Sequence, residues 1–191
     1  MRKKCAVLLI SVIVAALLSS CGSMKESRLF MMDTVIDLKV YGEKASECVS
    51  EMEDVLSDID RNLSAYREDG ELYQINLGKK IKAGEHLRSA VSMALLYKEK
   101  TDGAFSPMLG RVIDLWGIGE KNYIPTEKEI EEALIPSLKA DVAISGDEIS
   151  INPTARLNLG AIAKGYASDT EITAEELKEL CDRFKVRVKE V

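Results

Sequence analysis

At 191 residues the chain holds one ordinary domain with something extra, since a domain takes about 150 residues. Hydrophobic residues make up 46% and charged residues 30%, which excludes wholesale disorder, collagen-like repeats and a polytopic membrane protein. With 26 Lys and Arg against 32 Asp and Glu the net charge is -6, which opposes attraction to phosphate backbones, so no nucleic-acid partner is expected.

Met1–Ser20 reads as an export signal: Arg2, Lys3 and Lys4 form a basic start, and Cys5–Leu18 is a run interrupted only by Ser11. As a helix that run rises about 21 Å, short of a hydrocarbon core of about 30 Å. Leu18-Ser19-Ser20-Cys21 resembles a bacterial lipobox, which implies cleavage before Cys21, acylation of its thiol and a lipid-anchored protein on the extracytoplasmic face of a bacterial cell membrane. An ordinary secretory signal and an uncleaved anchor are the alternatives. Residues 21–28, short and polar, are expected as a tether. With Cys5 in the signal and Cys21 lipidated, only Cys48 and Cys181 remain, too few for a disulfide framework.

From Leu29 to Tyr41, Ile36, Leu38 and Val40 alternate with Asp37 and Lys39, a period of two that predicts a half-buried strand. Ala45, Cys48, Val49, Met52, Val55, Leu56 and Ile59 then recur at helical spacing and predict a core-facing helix. A second helix through Leu87, Val91, Ala94, Leu95 and Lys98 is broken by Thr101, Asp102 and Gly103. Thr126 with Glu129 forms a capping box ahead of Ile130, Ala133 and Leu134. Val142–Ile144 and Ile149–Ile151 flank a turn-rich stretch suited to a hairpin, and Thr173 with Glu176 starts a final helix. The sum is an α+β domain.

Glycine-rich dinucleotide fingerprints, P-loops, His-Glu zinc helices and Cys-x-x-Cys pairs are absent from the sequence. The single His86 stands in a polar turn ahead of a helix and is read as a surface or capping residue rather than a catalyst. Four segments, read as loops, combine small residues, polar groups and an aromatic or sulfur side chain: Met31–Thr34, Leu63–Asn76, Gly103–Gly119 and Leu157–Asp169. A flat heteroaromatic ligand carrying phosphates needs a face to pack on, small residues that admit backbone, and donors for oxygens. Met32 or Tyr66 offers the face, Gly103, Ala104, Gly160, Ala161 and Gly165 the close approach, and Lys164 the charge.

In this order the four segments resemble the ApbE family of FAD:protein FMN transferases. Met32-Asp33-Thr34 is similar to its Met-Gly-Thr or Met-Asp-Thr strand, and LSAYREDGELYQIN to its Ser-x-Tyr loop and following helix. GAFSPMLGRVIDLWGIG resembles the segment ending in Trp-Gly-Phe-Gly, and LNLGAIAKGYASD the signature Asp-Leu-Gly-x-Ile-Ala-Lys-Gly-Tyr-x-x-Asp. The resemblance covers residues 29–169 and implies an ApbE-like, T-fold-like α+β domain that lacks the family's carboxyl-terminal part, with residues 170–191 a divergent helical tail.

Carried over residue by residue, the resemblance implies FAD contacts at Met32, Tyr66, Ala104, Phe105, Ser106, Asn158 and Lys164, and a magnesium ligand at the Ala161 carbonyl. It implies Mg2+-dependent transfer of FMN from FAD to a threonine hydroxyl of an acceptor protein, with release of AMP. The acceptor it implies is a flavin-bearing subunit of a redox-driven ion pump. No catalytic base is singled out. A non-catalytic FAD-binding lipoprotein or an inactive fragment is the alternative reading. Ser106 and Asn158 depart from the family pattern, each standing where Asp is usual.

Overall fold

The structure, a computed structural model, describes residues 24–117, 123–152 and 154–170. The export signal, Cys21 and the helix expected from Thr173 lie outside the described residues. Among those described, no helix is long and apolar enough to cross a membrane.

Strands β1 (Met24–Met31) and β2 (Thr34–Tyr41) form an antiparallel hairpin, in register from Met24 opposite Tyr41 to Met31 opposite Thr34. The sequence period predicts one strand over Leu29–Tyr41, and residues 24–28 are expected in a tether; instead the chain turns at Met32 and Asp33, and residues 24–28 form the first part of β1. The turn is hidden in the sequence because Met-Asp lacks the glycine or asparagine that usually marks a two-residue hairpin loop. Met32 and Asp33 have φ of 51° and 55°, the left-handed region that two-residue hairpins normally fill with Asn-Gly. Leu38 and Val40 point into the core, while the outer face pairs Arg28 with Asp37 and Lys39 with Glu26 across the strands.

Helix α1 (Ala45–Leu63) buries Cys48, Val49, Leu56 and Ile59 along one stripe, as its spacing requires, although Val55 faces outward. It packs against the hairpin, α2 (Glu71–Asn76), α3 (Glu85–Lys100) and α6 (Gly160–Thr170). A second sheet has the order β3-β5-β4, all antiparallel, from β3 (Ile81–Lys82), β4 (Val142–Ser145) and β5 (Glu148–Ile151). The expected β4–β5 hairpin is present, with Gly146 at φ 59° in its turn. Strand β3 is too short to leave a period in the sequence.

Besides Leu63–Asn76, which holds α2, two segments read as loops are partly helical. Helix α4 (Gly110–Trp116) is one, ended by Gly117 in the left-handed conformation. Helix α6 is the other: Leu159, Ala163, Tyr166 and Ala167 are all buried at helical spacing, but small residues on that face mute the period. Helix α5 (Glu127–Leu138) opens on the expected capping box.

Gly110 lets α4 approach the 156–158 segment, because a Cβ there would lie 2.6 Å from the Arg156 carbonyl oxygen. Gly165, on α6, has open space. Gly110→Ala is therefore expected to cost about 1–3 kcal/mol in urea denaturation, while Gly165→Ala is neutral or stabilising; equal effects would contradict the packing described.

The Glu129 carboxyl is pulled down to about 2 by hydrogen bonds from the Tyr123 hydroxyl, then the Thr126 hydroxyl and amide. A carboxyl titrating lower in the folded state adds stability above its ordinary value of 4.5 and loses it as the pH falls toward 2. Helix content followed by circular dichroism should fall less steeply across that window in Glu129→Gln than in the parent chain, and parallel acid limbs would contradict the assignment.

Candidate functional site

A cavity of about 800 Å3 opens between the β1–β2 turn, the end of α1, the 64–67 loop, α4 and the 156–164 segment. The backbone of residues 107–110 and the side chain of Asn76 meet there at Arg156, Leu157 and Asn158. The Arg156 carbonyl accepts from Gly110 N at 3.0 Å, and Asn158 N donates to the Pro107 carbonyl at 2.9 Å. Between them the Asn76 side chain pairs with both polar groups of fully buried Leu157: Leu157 N donates to Asn76 Oδ1 at 2.8 Å, and Asn76 Nδ2 donates to the Leu157 carbonyl at 2.9 Å. One amide thus stands in for a neighbouring strand. Asn158 Oδ1 accepts from Gly160 N at 2.9 Å and tightens the entry to α6, so asparagine keeps the acceptor that aspartate would supply.

Two carboxylates tie the walls. Asp60, near the end of α1, accepts from Met32 N at 2.9 Å and pairs with Arg67 Nη1 at 3.2 Å. Asp114, on α4, accepts from the Tyr66 hydroxyl at 3.0 Å and lies 2.7 Å from Arg156 Nε. The Arg156 guanidinium stands 5.6 Å from the Tyr66 ring centroid and donates through Nη2 to the Ala65 carbonyl at 2.9 Å. The Tyr66 ring is therefore oriented by a hydroxyl contact and a cation contact. Arg67 also donates to Asp69, and this bond holds the Asp69 carboxyl below its ordinary range. With both arginines engaged by carboxylates, Lys164 is the cation at the cavity without an ion pair among the described residues.

Of the residues singled out by sequence, Met32, Tyr66, Asn158 and Lys164 all line this cavity. Ala104, Phe105 and Ser106 do not. Ala104 is exposed after α3, Phe105 packs against the core, and Ser106 Oγ accepts from Met108 N at 3.3 Å. Their loop leads into Pro107, whose carbonyl anchors Asn158, so it backs the site without facing it. Ala161 lies in the first turn of α6 and is exposed. No group of three or more His, Cys, Asp and Glu residues is placed to hold a metal among the described residues, so these side chains do not make a protein-held magnesium site.

His86 departs from the surface or capping role expected of it. It is half-buried inside α3, and its Nδ1 lies 3.0 Å from the Tyr166 hydroxyl, with the rings edge-to-face at 5.9 Å, so it joins α3 to α6. Asp60, Arg67, Asp114 and Arg156 were not legible as site residues. Arg67 and Asp114 fall inside segments singled out for other side chains, and nothing in the acid-rich sequence of α1 separates Asp60 from its neighbours.

Residues 32–181 match the model of the ApbE family. The chain belongs to the ApbE family. It is similar to the FAD:protein FMN transferase of Treponema pallidum, 29% identical over 192 residues, which cover 88% of this chain and 53% of the relative. The FAD:protein FMN transferase of Haemophilus influenzae is 25% identical over 189 residues, covering 87% and 54%. The crystal structure of the ApbE protein from Thermotoga maritima superposes with a TM-score of 0.68 at 26% identity, covering 78% of this chain and 51% of that one. The flavinyl transferase ApbE of Pseudomonas stutzeri gives 0.69 at 22% identity, covering 87% and 55%, a likeness of fold. The α+β architecture is thus that of the ApbE-like flavin transferases, and the chain spans about half the length of the curated relatives it matches.

Asn76→Ala removes the partner of both Leu157 backbone groups, and each buried group left unpaired costs about 1–3 kcal/mol. Urea denaturation should place Asn76→Asp, which keeps the acceptor, between Asn76→Ala and the parent chain. Parent-like stability of Asn76→Ala would show that the amide bridge is dispensable.

Proposed function

We propose that this chain binds FAD in the cavity and belongs to an FAD:protein FMN transferase, which moves FMN to a threonine hydroxyl of an acceptor protein and releases AMP. The observation that carries the reading is convergence: Met32, Tyr66, Asn158 and Lys164, scattered through the sequence and assigned to FAD by family resemblance, line one cavity. The names of the relatives supply the reaction class.

In this reading the Tyr66 face packs against a flat ring of the dinucleotide, held in orientation by Asp114 and Arg156. Lys164, without an ion pair among the described residues, offers its ammonium to the diphosphate, where charge gathers during transfer. The threonine oxygen bonds to the flavin-side phosphorus, and the bond from that phosphorus to the bridging oxygen breaks. AMP leaves with the bridging oxygen and the hydroxyl proton passes to water. Asn158 and Asp60 hold the frame and take no proton in this scheme. Magnesium favours oxygen ligands and rides on substrate phosphates rather than in a closed protein cage. The described side chains do not fit such a cage; the Ala161 carbonyl would be the ion's protein contact, and the ion would neutralise charge on the diphosphate. It also takes the chain as lipid-anchored through Cys21 on the extracytoplasmic face, acting on a flavin-bearing subunit of a redox-driven ion pump.

Titration of FAD into the chain, followed by quenching of flavin fluorescence, should saturate. Lys164→Met should weaken binding about tenfold, the equivalent of about 1.4 kcal/mol. Incubation with magnesium and an acceptor should then yield covalently flavinylated acceptor, lost on chelation. FAD retained without transfer supports the non-catalytic alternative, and no FAD binding by folded protein overturns the reading.

A further inference from the structure

The β1–β2 turn carries an unusual burden. Both of its central residues, Met32 and Asp33, hold positive φ although neither is glycine or asparagine. A two-residue hairpin loop needs this left-handed geometry to match the twist of its strands, but L side chains resist it. Isolated, a Met-Asp turn would leave this conformation readily. Besides the β1–β2 ladder, closed by Met31 opposite Thr34, a side chain from another element opposes that: Asp60 Oδ1 accepts from Met32 N at 2.9 Å. The carboxylate is itself restrained, since Arg67 Nη1 lies 3.2 Å from Oδ2 and the Asp60 side chain is only 18% exposed. Met32, Asp60 and Arg67 all line the cavity.

We propose that Asp60 is a positioning residue for the dinucleotide site: it holds the β1–β2 turn in its left-handed conformation and so fixes Met32 against the ligand. The ligand half of this inference rests on the FAD reading above, whereas the turn half does not. Oδ1 serves the turn and Oδ2 serves Arg67, so one carboxylate registers the hairpin wall against the 64–67 loop that carries Tyr66. Asparagine at position 60 keeps an acceptor for Met32 N but loses the charge that faces Arg67. Alanine loses both. Glycine at position 33 removes the side chain that resists positive φ, so it should restore a turn that has lost its clamp.

Two readouts on the full chain test this. Amide hydrogen exchange followed by NMR reports the turn without any ligand: the Met32 amide should exchange at least about tenfold faster in Asp60→Ala, as expected for loss of a hydrogen bond to a charged group, and stay close to the parent in Asp60→Asn. FAD titration reports the site: Asp60→Ala should weaken binding about tenfold, and the added Asp33→Gly should recover most of that loss. Retained protection of the Met32 amide in Asp60→Ala overturns the proposal. So does a loss of FAD affinity that Asp33→Gly does not recover, because a general structural defect would not be repaired at the turn. If Asp60→Ala fails to fold, Asp60→Leu, which keeps the bulk but offers no acceptor, takes its place: faster Met32 exchange with a loss of FAD affinity that Asp33→Gly recovers supports the clamp, and unchanged exchange or an unrecovered loss overturns it. If the parent chain binds no FAD, the site reading fails while the exchange result still decides whether Asp60 holds the turn.

Discussion

The paired hydrogen bonds between the Asn76 amide and the backbone of Leu157 hold together what the sequence keeps apart. Leu157 is fully buried where the chain leaves β5 for α6, and among the described residues no strand pairs with it to satisfy its N–H and C=O. Asn76, the last residue of α2, supplies donor and acceptor from one planar group. On either side, Arg156 and Asn158 bond to Gly110 and Pro107. Three consecutive residues therefore fix α2, the loop ahead of α4 and the start of α6 in one small volume. The cavity is the space these elements enclose with the hairpin turn.

Charge is arranged by the same economy. Each arginine at the cavity is engaged by a carboxylate that also holds a wall: Asp60 joins Arg67 to the hairpin, and Asp114 joins Arg156 to Tyr66. These pairs are partly exposed, and exposed pairs contribute little to stability by themselves. Their value is geometric, because they orient an aromatic ring and a turn. Among the described residues they leave Lys164 without an ion pair, which suits the proposed diphosphate better than three competing cations would.

Much of this architecture is legible in the sequence. Long helices with wide apolar stripes announce themselves, as α1 does, and so do side-chain signatures such as the Thr126–Glu129 capping box. Four residues that line the cavity, Met32, Tyr66, Asn158 and Lys164, stand in motifs that the sequence shows. Features that depend on tertiary partners were not. The turn at Met32 and Asp33 lacks glycine and asparagine and is held by a carboxylate on α1, and α6 hides its period because Ala163 and Ala167 bury little surface beside Tyr166. Asp60 and Asp114 are ordinary acids in the sequence and acquire meaning only from what stands opposite them. The loop containing Ala104, Phe105 and Ser106 is the converse case: its motif is plain, yet the structure sets it behind the site.

The central claim is that the 156–164 segment and the hairpin turn enclose a dinucleotide site. A crystal structure of the chain grown in saturating FAD tests it most directly. The account predicts density within the cavity, its diphosphate within hydrogen-bonding reach of Lys164 and a ring stacked on Tyr66. FAD ordered elsewhere on the molecule, with this cavity holding only solvent, would contradict it.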